Sequence, residues 1–356
     1  MDTRSVADSL EAYLKRRWPE REKLRICSVR QIPGGASRET FRIRLSYGDE
    51  NHRTEEGLIL RKDPDTSLID TERALEYHTY EAVYGHGIPV PRPLLLEEDP
   101  VYLGNAFSLM EEIGDCDSSP ARFAAEDYAE LREITGKQKW RLLGKLTTLD
   151  PIQLGLTEFM PLPPVEHCAL EQLDYWAGVI EADALHPQPI AQAAIRWLRN
   201  NLPAPPAKRV LVHGDYRSGN FLYDAGGTIR AILDWEMAHL GDPLEDLAWS
   251  LDPLWSWPDT ELAGLLLPRE EAITHWEYSS GLRVDAAAFH WWQIFASLKG
   301  LAIWLSSSEN FARGSSKEPI LAVAGWVMTD RQNRILLDRL SPLSDRQFPL
   351  ARVENP

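Results

Sequence analysis

The chain has 356 residues, 44% hydrophobic and 26% charged, long enough to bury a large core and too apolar for a disordered segment. Its 38 Lys and Arg against 54 Asp and Glu leave a net charge of −16. Sequence-independent binding to nucleic acid or to an anionic membrane needs a basic footprint, so neither is an expected partner.

Apolar residues at helical spacing predict a helix over 6–17. Alternating patterns predict strands over 24–32 and 40–45, joined by the turn signal Pro33-Gly34-Gly35-Ala36-Ser37. A third strand is expected over 57–62 and a helix over 68–84, closed by Gly85 and Gly87. Pro89, Pro91 and Pro93 exclude helix, and strands over 94–97 and 106–110 complete a small sheet with one inserted helix. Beyond residue 111 helical patterns dominate, over 121–135, 140–149, 170–182, 190–200 and 285–305. Only Trp18 of the thirteen tryptophans precedes position 110; pairs such as Trp291-Trp292 read as core or interhelix filler, with ligand stacking the alternative for any one of them.

Cys27, Cys116 and Cys168 show no CxxC spacing, which argues against a disulfide framework or structural zinc and for a reducing cytoplasm. Residues 1–18 lack the apolar stretch of a signal peptide, and the longest apolar run, 320–328, is far short of the ~20 residues of a membrane span.

The chemistry lies between 209 and 249. A β-branched strand over 209–212 runs into His213-Gly214-Asp215-Tyr216-Arg217-Ser218-Gly219-Asn220. A short strand over 221–223, a Gly226-Gly227 turn and a strand over 229–233 follow, ending in Asp234-Trp235-Glu236. Phosphoryl transfer needs one carboxylate to orient the attacking hydroxyl and hard oxygens to hold magnesium against nucleotide phosphates. In protein kinases the base and the metal-binding asparagine lie five positions apart, as Asp215 and Asn220 do. His213 is expected to pack and bond backbone.

The segment resembles the aminoglycoside phosphotransferase and choline kinase-like family, which shares the protein-kinase fold. Gln31-Ile32-Pro33-Gly34-Gly35-Ala36-Ser37, Leu58-Ile59-Leu60-Arg61, Leu75-Glu76-Tyr77, Leu109-Met110-Glu111, Leu240-Gly241-Asp242-Pro243 and Asp246-Leu247-Ala248-Trp249 extend the likeness over nearly the whole chain. Within the family it is most similar to the branch attached to acyl-CoA dehydrogenases. The resemblance implies an α+β, two-lobed kinase-like fold, with an antiparallel-sheet N-lobe (1–110) and a mainly helical C-lobe (111–356). It implies Asp215 as base, Arg217 as stabiliser of the transferring group, and Asn220 and Asp234 as Mg²⁺ ligands. Gly34, Gly35 and Ser37 would cover the phosphates, Arg61 would pair with them and with Glu76, and Asp246 would anchor the loop. The backbone from Glu111 to Ile113 would hold the adenine edge. The family's phosphate-binding lysine is here Arg61, with Lys62 beside it; strand alternation favours Arg61 and leaves Lys62 open.

The implied reaction moves the γ-phosphate of ATP, or of GTP, to a hydroxyl of an aminoglycoside, amino alcohol, sugar or hydroxyacyl-CoA type of acceptor. The alternatives are a catalytically silent nucleotide-binding module and a metal-dependent hydrolase built on His213, Asp215 and Asp234. The oligomeric state stays open. Residues 111–133 hold eight carboxylates against two arginines, and 234–246 hold five with no base. These stretches are expected to form a field that concentrates Mg²⁺ and a cationic acceptor.

Overall fold

In helix α1 (Thr3–Arg17), Val6, Leu10, Tyr13 and Leu14 recur at helical spacing and are buried against a sheet. The computed structural model describes residues 3–32, 39–49, 52–63, 73–257, 261–315 and 319–341. The sheet comprises β1 (Arg25–Ile32), β2 (Glu39–Tyr47), β3 (Thr54–Lys62), β4 (Pro93–Glu97) and β5 (Phe107–Glu111), in the order β1-β2-β3-β5-β4. Every pair in it is antiparallel. Alternation decides its faces. Phe41, Ile43 and Leu45 of β2, Leu58 and Leu60 of β3, and Phe107 and Leu109 of β5 pack with α1 in one core. Ile59, Arg61 and Met110 are left for the opposite face, which borders a cleft.

A second core gathers helices α3 (Ala129–Leu146), α4 (Cys168–Asp183), α5 (Pro189–Asn200), α6 (Leu244–Ser250), α7 (Arg269–Ser280) and α8 (Ala286–Ala312). Helix α9 (Pro319–Leu340) lies against α8 and contributes Leu336 to it. It also takes in Tyr80 and Val83 from α2 (Arg73–Val83), with Ile88, Val90 and Met110, so α2 and the segment after it bind the two halves together. Small sheets lie in this half. β6 (Cys116–Asp117), β8 (Phe221–Asp224) and β9 (Ile229–Ile232) form one, in the order β6-β8-β9; β7 (Val210–Val212) pairs with β10 (His239–Gly241) in another. The two-lobed α+β fold is as expected. Among the described residues no helix is long and apolar enough to cross a membrane.

Trp291 and Trp292 are filler, as expected: Trp291 stacks on Phe295 with an interplanar angle of 7°. Truncating such a buried tryptophan costs ~3–5 kcal/mol. Asp285 caps α8 by accepting from Ala288 N at 2.8 Å.

One expectation needs correction, and two helices were not expected. The helices expected over 121–135 and 140–149 are one helix, α3, preceded by two 3₁₀ turns, Pro120–Ala124 and Glu126–Tyr128. Gly136 does not break it; a Cβ there would lie 2.5 Å from Leu267 Cγ, so glycine lets the chain at Leu267 approach. Helix α7 has no expected counterpart, because its buried stripe is only Ala272, Trp276 and Ser280. The apolar run at 320–328 lies inside α9, where its continuity hides the helical period.

Candidate active site

The segment 213–220 follows β7 and is fastened from α6. Asp246 accepts from His213 N at 2.6 Å and from Gly214 N at 3.0 Å. Gly214 has φ +85°, and a Cβ there would lie 2.3 Å from Met237 O, so only glycine fits. Lys299 of α8 donates to Gly214 O at 2.6 Å and to Glu245 Oε1 at 3.1 Å, and Glu245 Oε2 lies 3.0 Å from His239 Nε2. Burial alone would raise the Glu245 carboxyl, but His239 and Lys299 hold it down to about 2. Burial raises the Asp246 carboxyl above its ordinary value despite His213 beside it. His213 Nδ1 accepts from Asp215 N at 3.1 Å, which leaves its Nε2 to donate to Leu233 O at 2.9 Å. Both ring nitrogens are thus spent on backbone.

The Asp215 carboxylate is held on three sides. Its Oδ2 accepts from Asn220 Nδ2 at 2.8 Å and Arg217 Nε at 3.0 Å, and its Oδ1 accepts from Trp249 Nε1 at 2.8 Å. Asn220 Nδ2 also donates to Asp215 O at 2.9 Å. The Arg217 guanidinium lies 5.2 Å from the centre of the Trp255 ring. Leu233 N donates to Asn220 O at 2.8 Å, which brings Asp234 next to the asparagine.

Asp234 adopts φ +70°, a left-handed conformation that aspartate tolerates better than most residues. Its N donates to Tyr80 Oη at 3.0 Å, and its Oδ1 accepts from Arg61 Nη2 at 2.9 Å. Arg61 Nη1 lies 3.0 Å from Glu76 Oε1. Glu76 and Tyr80 are one helical turn apart on α2, so this helix serves both the arginine and the Asp234 backbone. Burial would raise the Asp234 carboxyl, but Arg61 holds it below the usual carboxylate range. Burial opposes the Arg61 charge, but Glu76 and Asp234 keep its pKa above the ordinary value. Lys62 is buried and pairs with Glu39 at 2.7 Å, away from this cluster.

These groups line a cleft of about 1010 Å³ that also takes in Glu111 and Ile113. Glu76 stands behind Arg61, and Gly34, Gly35 and Ser37 lie outside the described residues. Glu111 Oε1 accepts from Arg92 N at 2.8 Å. Among the described residues the half-buried Ile113 backbone has no hydrogen-bond partner, so it is open to solvent or to a ligand. Asn220 spends its Nδ2 on Asp215, leaving Oδ1; Asp234 spends Oδ1 on Arg61, leaving Oδ2. These two hard oxygens suit Mg²⁺ held jointly with nucleotide phosphates, which needs only one or two protein ligands. Among the described residues no cluster of three His, Cys, Asp or Glu forms a metal cage of its own.

Past Asp215 the cleft continues between Trp176 and Val179 of α4, Ile303 and Trp304 of α8 and Leu321 of α9, with Trp249 and Trp255 beside it. These aromatic walls went unforeseen, as did Tyr80 and Lys299; none carries a local sequence signal, since each meets the site only through folding. The acidic field is corrected at four of its carboxylates. Asp242, Glu245 and Asp246 are buried and bonded to Leu244 N, to His239 with Lys299, and to the 213–214 backbone. Glu112 pairs with Arg42 and Arg44 at 2.8 Å each. These charges are consumed inside the fold.

The family model for the phosphotransferase enzyme family (APH) matches residues 28–282. The chain belongs to this family. The phosphotransferase chain is 30% identical to chicken (Gallus gallus) acyl-CoA dehydrogenase family member 11 over 268 residues, which cover 70% of the chain and 31% of the relative. It thus spans about a third of the length of that relative. In fold it is similar to aminoglycoside 2′-phosphotransferase-IIIa in complex with GDP: TM-score 0.60, 14% identity, 92% of this chain and 98% of that one. A thermostable variant of aminoglycoside phosphotransferase APH(4)-Ia, in ternary complex with AMP-PNP and hygromycin B, gives TM-score 0.55 and 16% identity over 92% and 99% of the chains. The two-lobed kinase-like fold is shared with both.

Proposed function

We propose that the chain is a nucleoside-triphosphate-dependent kinase of a small hydroxylated molecule. The observation that carries the reading is the Asp215–Asn220–Asp234 constellation in one cleft with Arg61. Asp215 orients the acceptor hydroxyl and takes its proton as the new O–P bond forms; the bond from the γ-phosphorus to the β-phosphate oxygen breaks, releasing nucleoside diphosphate. Arg217 and Arg61 stabilise negative charge on the phosphates, Arg61 by exchanging Asp234 for a phosphate oxygen. Asn220 and Asp234 would hold Mg²⁺, which when bound neutralises phosphate charge. Gly34, Gly35 and Ser37, outside the described residues, are assigned to the phosphates by the family resemblance alone. The nucleotide base sits against Ile59 and Met110 with its edge on the backbone of Glu111 to Ile113. The GDP and AMP-PNP held by the two structural neighbours support ATP or GTP in this cleft.

The acceptor side favours a molecule with an apolar body over a polycation. Its wall is aromatic and aliphatic, and Asp183 there is bonded to Ser306. Among the described residues Trp255 Nε1 and Trp304 Nε1 are buried without a partner, which favours an acceptor that brings an oxygen to them. Among the acceptor types, a hydroxyacyl thioester brings both an apolar body and oxygens, whereas an aminoglycoside brings oxygens but no apolar body. The test is nucleoside diphosphate release with Mg²⁺ and ATP or GTP across hydroxyacyl-CoAs, amino alcohols, sugars and aminoglycosides. Turnover with a hydroxyacyl thioester supports this preference, turnover with aminoglycosides alone overturns it, and none with any acceptor counts against the kinase reading.

A further inference from the structure

Lys139 of α3 is fully buried, and the phosphotransfer reading makes no use of it. Its Nζ donates to Ser218 Oγ at 3.1 Å, and Ser218 Oγ donates onward to Gly264 O at 3.3 Å. The carbonyl of the same lysine accepts the Tyr216 hydroxyl at 2.6 Å. One residue therefore grips the chain on both sides of Arg217, and Ser218 opens the turn that ends at Asn220. Space is tight: a Cβ on Gly264 would lie 2.8 Å from Lys139 Nζ and 3.0 Å from Ser218 Oγ.

A buried lysine ordinarily stands beside a carboxylate. Among the described residues Lys139 does not; its Nζ lies 4.7 Å from the Trp140 ring centre and 5.7 Å from that of Phe221 in β8. The groups facing it from the 213–220 loop are Ser218, Tyr216 and the like charge of Arg217, and from the 262–264 turn the Gly264 backbone. Burial first, then Arg217, lowers its pKa to about 7.

We propose that Lys139 is a positioning residue that sets the loop carrying Asp215, Arg217 and Asn220 through Ser218, and that its uncharged amine is the form in which the loop is productive. The link to turnover rests on the kinase reading; the link to loop order does not. As pH falls, an ammonium forms in an apolar cage beside Arg217, and shifting the Ser218 turn relieves it.

Hydrogen exchange of the 213–221 amides at pH 6 and pH 8, expressed as protection factors, tests this without an acceptor. The expected wild-type result is protection about tenfold lower at pH 6. Lys139→Met cannot be charged and should show equal protection at both pH values. Lys139→Arg should show low protection at both, as should Ser218→Ala, which cuts the link while leaving the lysine. With an acceptor in hand, kcat should fall below pH 7 in the wild type, and that acid limb should be absent in Lys139→Met. Equal wild-type protection at both pH values overturns the inference, and so does a pH dependence that survives in Lys139→Met. Should Lys139→Met not fold, pH-dependent protection surviving in Ser218→Ala overturns it instead. A loop that responds in a protein that turns over no acceptor sinks the kinase reading and leaves the positioning role standing.

Discussion

Arg61 donates to Asp234 at 2.9 Å, joining β3 to the residue that follows β9 across the cleft. With Glu76 3.0 Å from its other terminal nitrogen, the guanidinium bridges two carboxylates on different elements. The planar fork makes that possible; an ammonium is a point charge. Arg61→Lys should therefore raise the nucleotide KM by about tenfold, the equivalent of one lost charge-assisted bond, with a smaller effect on kcat. Isothermal titration with ATP and GTP checks it, and unchanged affinity would remove Arg61 from the nucleotide site.

Glu245 ties Lys299 and His239 to the Asp215 loop from below. Its pKa is depressed to about 2, so its stabilising contribution is present above the unfolded value near 4.5 and is lost as pH falls through 2. Glu245→Gln leaves Lys299 buried without its charge partner and should cost ~3–5 kcal/mol at pH 7. Thermal unfolding at pH 7 and pH 3 should show the gap between variant and wild type narrowing in acid.

Asp242 behaves in the opposite sense. Burial raises its carboxyl to about 6. A raised folded pKa favours folding below the unfolded value near 3.8, and that advantage is lost as pH rises through 6. Asn keeps the acceptor that Leu244 N uses at 2.8 Å. Asp242→Asn should therefore raise the melting temperature at pH 7.5, by the equivalent of about 1–3 kcal/mol, and the gain should vanish near pH 4. A variant less stable than wild type at pH 7.5 contradicts this.

That Asp215, Asn220 and Asp234 share one cleft was legible because they lie within twenty positions on one strand-loop-strand unit. Arg61 was legible over Lys62 because a strand alternates its faces, and the structure spends Lys62 on Glu39. Asp246 and Glu76 were legible too, and the structure has them on the 213–214 backbone and on Arg61. Tyr80 and Lys299 were not: they reach the site from helices far away in sequence, and nothing local distinguishes them from core residues. The continuity of α3 through Gly136 was hidden for the same reason, since the fit of that glycine lies in Leu267 and not in its own neighbours. The acidic stretch at 234–246 misled because composition counts charges without their partners.

The most direct test of the account is Asp215→Asn, isosteric with the carboxylate, which removes the proton acceptor and replaces with a donor one of the two oxygens that accept from Asn220 and Trp249. With the acceptor found in the nucleotide-consumption screen, kcat should fall by roughly 10²–10⁴-fold. Calorimetric nucleotide affinity should stay within about threefold, because the phosphates are held elsewhere. A variant that transfers phosphate at the wild-type rate would contradict the account.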